Sequence, residues 1–150
     1  MQPFWQGLPS VGNIIVGLGA GFGFSLFVGL VVVHYFHEWL KRKLPEITEA
    51  HPQKGIPSGI TGLIERLGFT LLVIVQPAAA PTAMMGWLGL KMAANWNKDV
   101  TPAGAVDAEA RKTAWNRHAF AAILTGLVSM GFAWMGGMLA RFIMGVPLTP

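Results

Sequence analysis

Residues Leu67–Leu90, LGFTLLVIVQPAAAPTAMMGWLGL, decide the fold. The stretch has 24 residues and no charge. At about 1.5 Å per helical residue it reaches roughly 36 Å, enough to cross a hydrocarbon core once. Yet Pro77 and Pro81 stand at its centre, and each lacks the N–H that a continuous helix needs. Either this is one kinked crossing, or it is two shorter helices folded back on each other at Gln76-Pro77.

Two other charge-free runs frame it, 23 residues from Val11 to Val33 and 22 from Ala119 to Ala140. Both are long enough to span a bilayer. The chain therefore reads as an all-α, polytopic integral membrane protein of one domain, with the lipid bilayer as its main partner. In the three-span version, Leu67–Leu90 crosses once and Arg66 and Lys91 mark its ends. In the four-span version, a tight hairpin replaces it. The spans then fall at about 11–33, 60–75, 78–96 and 119–143, joined by loops at 41–57 and 97–117.

The basic residues separate the two. There are 11 Lys and Arg in the chain. Four spans place all but Arg141 on one side, whereas three spans divide them about evenly. Cytoplasmic loops carry the excess of Lys and Arg, so the four-span bundle is expected, with both termini outside and both basic loops in the cytoplasm. This topology draws Glu65, Arg66 and Lys91 into helices, where charges need partners. A prokaryotic cytoplasmic (inner) membrane is the expected location. Met1–Ser10 contains no Lys or Arg, a poor signal-peptide start, so the first span is expected to stay as a helix.

Composition agrees. Hydrophobic residues make up 53% and charged residues 12%, about half the usual charged share of a soluble domain. Nineteen glycines suit close-packed membrane helices. The net charge of +4 is carried by residues flanking the spans, where orientation and anionic lipid headgroups account for it; nucleic acid is not an expected partner. Without cysteine there are no disulfides, iron–sulfur clusters or thiolate zinc sites.

The first helix is expected to continue past Val33 as an amphipathic extension through Lys43, with Trp39, Trp87, Trp96 and Trp115 as interfacial residues. Asp107 is expected to begin the last helix ahead of its apolar run. Two ladders of small residues stand out. Gly17, Gly21, Ser25 and Gly29 recur every four residues on the first helix. Ala121, Thr125, Ser129, Ala133 and Gly137 do the same on the last. Small residues at this spacing let helix backbones approach closely. They are expected either to pack the first helix on the last, or to form a subunit interface or pore lining.

Few polar residues could carry chemistry. His34, His37 and Glu38 can share one helical face, and two imidazoles with a carboxylate are a legitimate zinc or iron set. The plainer reading is a wet interfacial face. Glu65, Arg66, Lys91, Arg117 and His118 are expected at similar depth near the cytoplasmic helix ends. They would form either a structural ion-pair network, or an entrance vestibule for an anion or acidic substrate, or a proton-handling site around Glu65. Arg141 is expected to snorkel to outer phosphates. The methionines, Met84, Met85, Met130, Met135 and Met138 among them, read as adaptable packing. No nucleophile–base constellation, Walker loop, EF-hand or haem-attachment motif occurs, and no cofactor is identified.

A non-enzymatic structural or accessory subunit of a homo- or hetero-oligomeric complex is the first functional expectation. An oligomeric ion channel or small-solute transporter with a basic cytoplasmic mouth is the second. An intramembrane metalloenzyme built on His34, His37 and Glu38 is the third.

Overall fold

The computed structural model describes residues 9–43, 58–96 and 108–147. These are helical, with no strand among them. The basic loop segments 44–57 and 97–107, with Asp107 at the end of the second, lie outside the described residues. The first rod is built from α1 (Val11–Gly23), a π-helical turn (Phe24–Val28) and α2 (Gly29–Lys43) in direct succession. Helices α3 (Ser58–Val75), α4 (Ala80–Trp96) and α5 (Ala108–Met144) follow. The extension beyond Val33 is thus continuous helix to Lys43.

Local chemistry sets the boundaries. Ser10 caps α1, its hydroxyl accepting from the Asn13 N–H at 3.2 Å while its carbonyl accepts from Ile14 at 3.0 Å. Helix α5 ends in a Schellman motif. Gly145 takes the left-handed conformation at φ +70°, its N–H donates to Phe142 O, and the Val146 N–H donates to Arg141 O.

The central prolines break the chain as the hairpin reading requires. Gln76 still donates to Leu72 O at 2.7 Å, and its own carbonyl then accepts from both Ala79 and Ala80 at 3.2 Å. Pro77 has no N–H to carry α3 onward, while Pro81 sits in the first turn of α4, where a missing N–H costs nothing. The boundaries differ slightly from expectation: α3 begins at Ser58 rather than 60, and α4 at Ala80 rather than 78. Residues 77–79 are spent on the turn itself.

Contacts fix the directions. Gly17 faces Ala140 and Met144, Gly21 faces Gly136 and Ala140, and Gly29 faces Phe132, so the first rod runs antiparallel to α5. Thr70 lies against Ala133 and Val73 against Gly137, so α3 runs parallel to α5. Glu65 reaches Lys91 and Gly126 approaches Leu88, which makes α4 antiparallel to both. Successive helices alternate in direction, with Val73, Ala80, Met84, Leu88, Met130 and Ala133 forming the core of α3, α4 and α5.

Two helical stretches, Val11–Leu40 and Ala119–Met144, are long and apolar enough to cross a membrane. In the most apolar 18-residue window of each, 22% and 28% of the residues, respectively, are buried inside the bundle. Their bulky residues, such as Val11, Ile15, Phe27 and Phe142, point outward instead.

The π-helical turn has a packing consequence. In an α-helix, residues four apart drift by about 40° around the axis, so a four-residue ladder soon rotates away from its neighbour. The wider π turn offsets that drift. Gly17, Gly21, Ser25 and Gly29 consequently all remain buried along one side of the rod.

Candidate functional site

Three groups of residues could carry function: the small-residue seams, the charges within the bundle, and the histidines of α2.

The first seam joins the rod to α5. A Cβ placed on Gly21 would lie 2.6 Å from Gly136 O and 2.7 Å from Ala140 Cβ; one on Gly136 would lie 2.6 Å from Gly21 O. The contact is reciprocal, each glycine directing a Cα hydrogen at the other's carbonyl. The second seam joins α3 to α5. A Cβ on Gly137 would sit 2.5 Å from Val73 Cβ and 3.0 Å from Thr70 O. Where the seams meet, the buried Thr70 hydroxyl donates to Ser25 Oγ at 2.8 Å, with Ala133 O a longer acceptor at 3.4 Å.

These contacts revise the pairing expected from sequence. The rod's ladder does pack on the last helix, but on Gly136, Ala140 and Met144 rather than on the Ala133–Gly137 ladder. Ala133 and Gly137 serve α3 instead. Ser129 is buried, and Thr125 turns back to donate to Ala121 O at 2.8 Å. Gly136 and Ala140 lie four apart, one position off the Ala133–Gly137 ladder, and that spacing is the signal the sequence offers.

The charges lie deeper than expected. Arg66 is the ninth residue of the 18-residue α3, and its stem passes the place where Gly29 meets Phe132, at the midpoint of the apolar run of α5. This is mid-height of the bundle rather than a helix end. Gly29 makes the passage possible: a Cβ there would lie 3.3 Å from Arg66 Cδ and 3.1 Å from Phe132 Cβ. Glu65 is buried and pairs with Lys91, Nζ to Oε1 2.5 Å, across the α3–α4 hairpin. The Arg117 and His118 side chains lie outside the described residues.

Arg141 corrects the expectation of snorkelling. It is 7% exposed, and its Nη1 donates to Ile74 O at 2.8 Å while Nη2 donates to Pro147 O. It thereby satisfies a carbonyl in the last turn of α3, one that helical bonding leaves open, and ties the chain after α5 to it. A partner on another helix left no trace in the local sequence.

His34 is exposed and stands edge-on to Tyr35, ring centroids 5.9 Å apart. His37 and Glu38 are half-buried and each engaged in an interaction. Among the described residues, no three His, Asp or Glu side chains are placed to hold a metal ion. A shallow groove of about 280 Å³ runs between α4 and α5, lined by Pro81, Met84, Met85, Leu127, Met130 and Trp134. These side chains can accept apolar matter but hold no group that would orient a reacting substrate.

Helix α4 is the least integrated element. Its buried residues Ala80, Met84 and Leu88 form one stripe. On the opposite side Thr82, Gly86, Gly89 and Ala93 form a second, exposed stripe, and a Cβ at Gly86 or Gly89 would meet nothing within 4 Å. Compared with protein families, with characterised proteins and with solved structures, the chain matches none.

Proposed function

We propose that this chain is a non-enzymatic integral membrane protein, a four-span bundle that acts as a small structural or accessory subunit of a homo- or hetero-oligomeric membrane complex. The observation that carries the reading is the open stripe Thr82, Gly86, Gly89 and Ala93 on α4. The rod's Gly17–Gly29 ladder is consumed on α5 and the α5 ladder on α3, while other glycines, Gly19 and Gly23 of the rod and Gly59, Gly62 and Gly68 of α3 among them, are as open as those of α4. Two outward glycines weaken α4 by roughly 1 kcal/mol each relative to alanine, with no return inside the subunit. A neighbouring helix packed on that stripe would supply the return, because small residues are what let membrane helices approach.

In this reading α3 and α4 cross the membrane as a hairpin, the charged exceptions being Arg66 and the paired Glu65 and Lys91. The two basic loops then share the cytoplasmic side with anionic lipid headgroups, and both termini lie outside, in a prokaryotic inner membrane. The test is the native mass of the protein extracted in a mild detergent or nanodisc. Wild type is expected in an assembly, and Gly86→Leu with Gly89→Leu is expected to release a folded monomer. A monomeric wild type, or an assembly indifferent to those changes, sinks the proposal.

One observation favours a second reading, an oligomeric channel or small-solute transporter: the mid-height group of Glu65, Arg66 and Lys91. Ionisable residues at that depth commonly mark ion paths. Proteoliposome flux that changes on Glu65→Gln while native mass stays constant would select it over the first.

A further inference from the structure

We infer that Arg66 holds a small inorganic anion of about the size of chloride within the bundle. The inference is independent of both functional readings. Arg66 is 4% exposed, and its Nε and Nη1 are fully covered with no hydrogen-bond partner. A guanidinium nitrogen stripped of water and given no acceptor is strongly disfavoured. Arg141, the other buried arginine, has carbonyl oxygens on both its Nη atoms and is left with Nε alone unpartnered, whereas Arg66 also lacks a partner at Nη1.

Charge counting leads to the same place. Among the described residues, Glu65 is the acidic group of α3, α4 and the apolar run of α5, and its Oε1 is taken by Lys91 at 2.5 Å. Arg66 and Lys91 both adjoin this carboxylate and Lys91 takes its Oε1, so the Arg66 guanidinium carries its charge at mid-height with Nε and Nη1 lacking an acceptor. Water can satisfy an N–H but cannot remove that charge. A halide does both, and as a sphere it accepts from donors in any orientation.

The experiment compares reversible unfolding of the full chain in detergent across chloride concentrations, with gluconate holding ionic strength constant. Once chloride exceeds its dissociation constant, each tenfold increase is expected to lower the unfolding constant about tenfold. Arg66→Met is expected to abolish the dependence. Equal stability in chloride and gluconate, or an unchanged dependence in Arg66→Met, overturns the inference. Sulfate or phosphate in place of chloride distinguishes a general oxyanion site, and stabilisation by those anions alone would also overturn it. Crystals of the wild type soaked in bromide supply a readout that needs no variant: an anomalous peak beside Arg66 is expected, and no peak there refutes the site.

Discussion

Replacing Gly21 by alanine tests whether the rod and α5 touch backbone to backbone. The added Cβ would lie 2.6 Å from Gly136 O and 2.7 Å from Ala140 Cβ, where ordinary contact begins at 3.4 Å. Neither neighbour is the end of a flexible side chain, so the helices must part by about 0.8 Å at this level. A gap of 0.5–1 Å forfeits a quarter to a half of each dispersion contact, and overpacking of this kind costs about 1–3 kcal/mol. Alanine returns up to about 1 kcal/mol of helix propensity. Gly19 supplies the control, being two positions away with nothing within 4 Å of its Cβ position. Gly19→Ala should show the propensity gain alone.

Both variants gain that propensity, so they should differ by the overpacking cost alone, about 1–3 kcal/mol or some five- to 150-fold in the unfolding constant. Reversible unfolding by sodium dodecyl sulfate in mixed micelles, followed by far-ultraviolet circular dichroism, measures the difference. If Gly21→Ala is as stable as Gly19→Ala, the seam is not where it is drawn here.

Gly137→Ala should be destabilising by a similar 1–3 kcal/mol in the same assay, because its Cβ would meet Val73 Cβ at 2.5 Å; a neutral result argues against the α3–α5 seam. Glu65→Gln should cost about 3–5 kcal/mol and clearly more than Lys91→Met, since the carboxylate is buried and adjoins two cations while the lysine side chain is 37% exposed. Equal costs for the two would contradict that asymmetry. Arg141→Met should lose about 2–3 kcal/mol through its bonds to Ile74 O and Pro147 O, whereas an arginine that merely reached to headgroups would lose almost nothing.

Much of the architecture was legible because it rests on local chemistry. The break at Gln76-Pro77 follows from a missing N–H, and the run from Val11 to Lys43 follows from unbroken helical patterning. Partner choice was less legible. Helix α5 carries two adjacent small-residue stripes, Gly136 with Ala140 and Ala133 with Gly137, and periodicity says that each can pack without saying on what. The π-helical turn at Phe24–Val28 was invisible for a related reason, since it answers to the neighbour the ladder must keep facing. Arg66 and Arg141 looked alike as isolated cations in apolar helices. Their difference lies in carbonyls and glycines contributed by other helices, which no single stretch encodes.

The number of crossings decides this topology, and single-cysteine labelling tests it directly in a chain that has no cysteine of its own. Cysteines at Ser10, Ala50, Ala78, Ala103 and Leu148 would be probed in intact cells with an impermeant maleimide. Four crossings predict labelling from outside at positions 10, 78 and 148, with 50 and 103 reached only after the membrane is opened. Labelling of 103 from outside with 78 protected would put Leu67–Leu90 across the membrane as one helix and contradict the four-span bundle.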